Sequence, residues 1–100
     1  MERLAALAEQ APSGAEILET CEEITELLLK KNIAYGNSAL SPVRIFSKAS
    51  TTEQLLVRID DKLNRLKNGS EYPGDDTVMD LIGYLILLLV AKDNDEAART

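Results

Sequence analysis

The stretch Leu81-Ile82-Gly83-Tyr84-Leu85-Ile86-Leu87-Leu88-Leu89-Val90-Ala91 decides the fold class. Leucine-rich sequence with few β-branched residues packs well as helical bundles and poorly as sheets. Its longest unbroken apolar run, Tyr84 to Ala91, falls far below the ~20 residues of a membrane span. A helix apolar on nearly every side is buried on nearly every side. This one is therefore expected to be central or to lie in a subunit interface. It starts at Asp75/Asp76, with Thr77 and Asp80 in capping-box register, and runs to about Lys92.

Working outward, Thr51 and Gln54 form a capping box ahead of the stripe Leu55, Leu56, Ile59, Leu63 and Leu66. They predict a second long helix ending at Asn68-Gly69, which suits a left-handed cap. The loop Ser70-Glu71-Tyr72-Pro73-Gly74 follows. Ser13 and Glu16 make a further capping box, and Ile17, Cys21, Ile24, Leu27 and Leu28 predict a helix running to about Asn32. Tyr35-Gly36-Asn37-Ser38 is a turn signal, since Gly and Asn tolerate positive φ. Ser41-Pro42 reads as N-cap and first position of a short helix over 42–48. Residues 1–12 form a couple of turns (Leu4, Leu7 and Ala8 share a face) or fray. Residues 93–100 form a polar, frayed tail.

The expected fold is all-α, a small helical bundle of three long helices plus one short helix within a single domain over 13–92. A chain of 100 residues buries only roughly 60–65% of its unfolded surface. Oligomerisation is therefore expected to complete the thin core. Aromatic residues make up 4%, with no Trp and one Phe, which leaves the interior to aliphatic side chains.

Composition removes several functions. The chain has no His, which excludes Ser-His-Asp and Cys-His catalysis and His-ligated metal sites. Cys21 alone allows neither an internal disulfide nor a CxxC zinc site, so a reducing, cytoplasmic setting is expected. Net charge is -6, from 17 acidic and 11 basic residues, the wrong sign for a partner of duplex nucleic acid. The start MERLAALAEQ is not a secretion signal, and no membrane partner is expected.

Three clusters carry potential chemistry. Glu19, Glu22, Glu23 and Glu26 share one helix face at i, i+3, i+4 and i+7. They are either a solvated acidic face or, as an ExxE pair, oxygen ligands for Mg²⁺. Arg58, Asp61, Lys62 and Arg65 repeat that spacing, as an intrahelical ion-pair ladder or as phosphate-binding cations held by Asp61. Asp80 sits where the third long helix turns apolar, with Tyr84 one turn on. A carboxylate there needs a partner, either a cation on a neighbouring helix or a metal.

The runs Lys31-Asn32-Ile33-Ala34-Tyr35-Gly36-Asn37-Ser38, Arg58-Ile59-Asp60-Asp61-Lys62-Leu63-Asn64-Arg65-Leu66 and Asp76-Thr77-Val78-Met79-Asp80-Leu81-Ile82-Gly83-Tyr84 together resemble the nucleotide modification associated domain family. These are small all-α proteins of phages and bacteria, and the match covers Glu19 to Ala91. The helical layout is also similar, more remotely, to all-α nucleoside triphosphate pyrophosphatases of the MazG and dUTPase type, which use Mg²⁺ held by an ExxE helix and an ExxD helix. Glu19 and Glu22, or Glu23 and Glu26, match the first element; in the second, Thr77 stands where the Glu is expected, three residues before Asp80.

The resemblance implies that Tyr35 stacks on a base, that Asn37 or Ser38 contacts sugar or phosphate, and that Lys31, Arg58, Lys62 and Arg65 meet phosphates, oriented by Asp61. It also implies Glu19, Glu22, Glu26 and Asp80 as metal ligands. Three readings follow. The leading one is a homo-oligomeric nucleotide-binding protein, with Mg²⁺-dependent hydrolysis of a pyrophosphate bond as its enzymatic form. The others are a non-enzymatic protein that sequesters a nucleotide or cyclic-nucleotide signal, and a purely structural oligomerisation module.

Overall fold

The computed structural model describes residues 2–69, 73–74 and 76–99, and is all-helical: α1 (Glu2–Gln10), α2 (Gly14–Ala34), α3 (Thr51–Asn68) and α4 (Thr77–Arg99). No strand occurs among the described residues, and no helix there is long and apolar enough to cross a membrane. Ser70, Glu71, Tyr72 and Asp75, parts of the expected loop and helix start, lie outside the described residues. The chain divides into two compact units, Met1–Ala34 and Tyr35–Thr100.

The first unit is a helical hairpin of α1 on α2. The N-terminal stretch is helical from Glu2, and the return is tight, with Gly14 N donating to Ala11 O at 3.0 Å. Gly14 is buried because α1 runs directly against it; a Cβ there would overlap the Ala8 carbonyl. That approach decides which face of α2 is covered. Ile24 is buried and Leu18 and Leu28 half-buried, whereas Ile17, Cys21 and Leu27 of the expected stripe are exposed.

The second unit opens with the Tyr35 turn, where Gly36 and Asn37 both take positive φ, 59° and 64°. The expected helix over 42–48 is absent. Arg44 has φ 59°, a left-handed conformation that interrupts a right-handed helix. Its side chain holds the loop instead, Nε donating to Ala49 O (3.2 Å) and Nη2 to Thr51 Oγ1 (2.9 Å). The short helix of this fold is α1.

Helix α3 is capped one residue earlier than expected. Ser50 Oγ accepts from Glu53 N at 3.1 Å, so Ser50 and Glu53, not Thr51 and Gln54, occupy the capping-box positions. Gly69 closes the other end in the left-handed region, its N–H directed at the carbonyls of Arg65 and Leu66. Asp76 caps α4, with Oδ1 accepting from Met79 N at 3.0 Å. Helix α4 then continues past Lys92 to Arg99; Thr52 Oγ1 donates to Asp95 Oδ2 (3.2 Å), tying this expected tail to α3.

Cross-contacts fix the direction of the second hairpin. Thr52 meets Asp95, Arg58 meets Tyr84, and Lys62 meets Asp80, so α3 and α4 run antiparallel. Leu55 and Ile59 are buried on α3, and Thr77, Gly83 and Ala91 on α4. Within this unit, helix α4 is not covered all round: Leu85, Ile86, Leu89 and Val90 are exposed. So are Leu56, Leu63 and Leu66 of the expected α3 stripe.

Candidate functional site

The α3–α4 hairpin sets Lys62 of α3 against Asp80 at the start of α4 and brings Arg58 near Tyr84. The buried line on α3 runs Leu55, Ile59, Lys62, at i, i+4 and i+7, so a lysine takes the next place on a core stripe. Its aliphatic stem suits that position and its ammonium does not. On α4 the facing line runs Thr77, Asp80, Tyr84, Leu87 and Ala91, all buried or half-buried. Asp80 supplies the charge that the lysine needs: Lys62 Nζ lies 3.3 Å from Asp80 Oδ2, with the side chains 13% and 26% exposed. This answers the expectation that Asp80 requires a partner, with a cation on the neighbouring helix.

Arg58 and Arg65 flank the pair. The Arg58 guanidinium stands 6.0 Å from the centre of the Tyr84 ring, at the outer range of a cation–π contact. Arg65 Nη2 lies 3.3 Å from Asp61 Oδ2, one turn away on the same helix. Both intrahelical pairing and pairing across the hairpin are thus realised within one row. The Arg65–Asp61 pair is about half-exposed, and ion pairs near solvent stabilise little.

The remaining expected residues belong to other elements. Tyr35, Asn37 and Ser38 are grouped in the exposed turn that opens the second unit, with Ser38 N donating to Tyr35 O at 3.2 Å. Lys31 is exposed near the end of α2 in the first unit. Glu19, Glu22 and Glu26 line the exposed side of α2, whereas Asp80 belongs to the second unit. Glu26 pairs with Lys30 at 2.8 Å; the lysine beside it holds its carboxyl below the usual value, and Glu26 in turn raises Lys30. Among the described residues, no three Asp, Glu or Cys side chains gather as metal ligands.

The Arg58–Tyr84 contact is not among the expected ones. Its signal lies in register: with Lys62 facing Asp80 in an antiparallel pair, residues one turn back on α3 and one turn on in α4 must meet. No family model matches the chain, and no curated protein or solved structure shows a significant match to it.

Proposed function

We propose that this chain is a self-associating nucleotide-binding protein that meets phosphates with Arg58, Lys62 and Arg65. The supporting observation is the Lys62–Asp80 pair at 3.3 Å on the seam of the α3–α4 hairpin. A lysine and a carboxylate fixed there, with an arginine 6.0 Å from the centre of the Tyr84 ring beside them, form an orienting frame for an anion rather than a loose basic surface. Guanidinium groups retain N–H donors beyond those used by a single partner. Tyr35, Asn37 and Ser38 are exposed on the turn of the same unit; the family resemblance implies Tyr35 as the base contact and Asn37 or Ser38 as the sugar or phosphate contact.

Binding without turnover is the favoured form, because Asp80 is already directed at a cation. Thermal-shift measurements with nucleoside triphosphates and cyclic dinucleotides, each with and without Mg²⁺, test this reading. A ligand at about a hundred times its dissociation constant adds roughly 2.7 kcal/mol, several degrees in Tm for a chain this small. A metal-independent shift that disappears in Lys62→Ala supports sequestration. A shift that needs Mg²⁺ and is accompanied by pyrophosphate release supports a hydrolase. No shift with any member of the panel rejects nucleotide binding.

A second reading, a structural oligomerisation module, is favoured by one observation: Leu85, Ile86, Leu89 and Val90 are all exposed on α4. Contiguous aliphatic residues of this kind mark an association face. Self-association through that face is common to both readings.

A further inference from the structure

Charge balance on α3 separates Arg58 from the other two cations of the site. Arg58, Asp61, Lys62 and Arg65 share one face of the helix. Lys62 Nζ lies 3.3 Å from Asp80 Oδ2, and Arg65 Nη2 lies 3.3 Å from Asp61 Oδ2. Each of these two cations therefore has a carboxylate of its own. Arg58 is exposed and forms no ion pair among the described residues; the group it approaches is the Tyr84 ring, 6.0 Å away. Asp60, two positions further along α3, falls on the opposite side of the helix. The row thus sets three cations against two carboxylates, an excess of one positive charge that resides on Arg58.

That excess decides which phosphate the row accepts. A phosphodiester carries a single negative charge, which one unmatched guanidinium balances. Its two unesterified oxygens share that charge, and the planar guanidinium fork meets such a pair of oxygens together. A triphosphate carries several charges close together and would lie beside Asp61 and Asp80, where like charges repel. Recruiting Lys62 to offset them breaks an ion pair whose lysine is only 13% exposed. Lys62 and Arg65 still serve a diester, because an ammonium and a guanidinium carry more N–H donors than one carboxylate uses. They supply hydrogen bonds, and Arg58 supplies the net charge.

We infer that the ligand of this row is a phosphodiester and that Arg58 is the residue selecting it over a triphosphate. The inference rests on the nucleotide-binding reading above and narrows it to nucleotides whose phosphates are each esterified twice, whether in a cyclic nucleotide or in a short linear oligonucleotide.

Isothermal titration calorimetry of the full chain tests it without Mg²⁺ and at one ionic strength. Cyclic mononucleotides, cyclic dinucleotides and linear dinucleoside monophosphates are compared with nucleoside triphosphates of the same bases. At least one diester is expected to bind about tenfold or more tightly than its matching triphosphate, and the diester that binds tells a cyclic ligand from a linear one. Arg58→Gln, at an exposed position, is expected to abolish diester binding at unchanged helicity, followed by circular dichroism. Arg58→Lys keeps the charge without the fork and is expected to bind the diester more weakly than the unsubstituted chain. Asp61→Asn removes a carboxylate from the row and is expected to strengthen triphosphate binding about tenfold while changing diester binding less. Triphosphates that bind as tightly as the diesters overturn the inference and leave nucleotide binding standing. Diester binding retained in Arg58→Gln overturns the role given to Arg58. Absence of heat with every ligand overturns the inference together with the nucleotide reading beneath it.

Discussion

At the scale of single residues, Lys62 and Asp80 are asymmetric partners. The lysine side chain is 13% exposed and the aspartate 26%, and Asp80 also lies in the first turn of α4, where the helix dipole favours a negative charge. Removing the carboxylate therefore leaves the more enclosed charge without its counterion, whereas removing the ammonium leaves a carboxylate with other support. Asp80→Asn is expected to cost about 1–2 kcal/mol, measured by chemical denaturation, and Lys62→Met less. Equal costs would mean that the pair contributes no directional stabilisation. Gly14 is a second decisive residue. A Cβ there would overlap the Ala8 carbonyl, and overpacking of this kind costs roughly 1–3 kcal/mol. Gly14→Ala is expected to open the α1–α2 hairpin, seen as faster hydrogen exchange along α1 with α3 and α4 unaffected.

Among the elements, capping shows what local sequence specifies and where it is ambiguous. Ser50→Ala removes the acceptor for Glu53 N and is expected to destabilise α3 by ~1 kcal/mol. Thr51→Ala tests the alternative frame; it loses the hydroxyl partner of Arg44 but leaves the cap intact. The long helices were legible because their apolar spacing and terminal glycine and turn residues agree, as at Gly69, Gly36 and Asn37. Adjacent cap frames were not, since Ser50/Glu53 and Thr51/Gln54 satisfy the same pattern one residue apart. The rotation of each helix was not legible either. Ile17 and Leu63 fit a stripe as well as Leu18 and Lys62 do, and tertiary packing selects between them. Loop 41–50 defeated the short-helix expectation because the bonds from Arg44 to Ala49 and Thr51 are invisible in local propensity. The candidate site was legible at Asp80 as a carboxylate needing a partner. That Lys62 is this partner depends on antiparallel register.

At the scale of the whole molecule, the exposed aliphatic side chains of α4 set the prediction for association. Leu85 and Leu89, one turn apart on α4, are 44% and 64% exposed. A charge at the more exposed position should disrupt association without unfolding the hairpin. Leu89→Asp is expected to lower the mass seen by light scattering to that of a smaller species while retaining helicity; an unchanged mass would show that α4 is not the association face. The nucleotide reading makes the stronger claim, because it assigns a chemical task to the polar row beside Asp80. Isothermal titration calorimetry with nucleoside triphosphates and cyclic dinucleotides, comparing the unsubstituted chain with Lys62→Ala, tests that claim most directly. Saturable heat in the unsubstituted protein, lost in Lys62→Ala at unchanged fold and assembly, is the result predicted. Binding of equal affinity in both, or no binding by the unsubstituted chain, would contradict it.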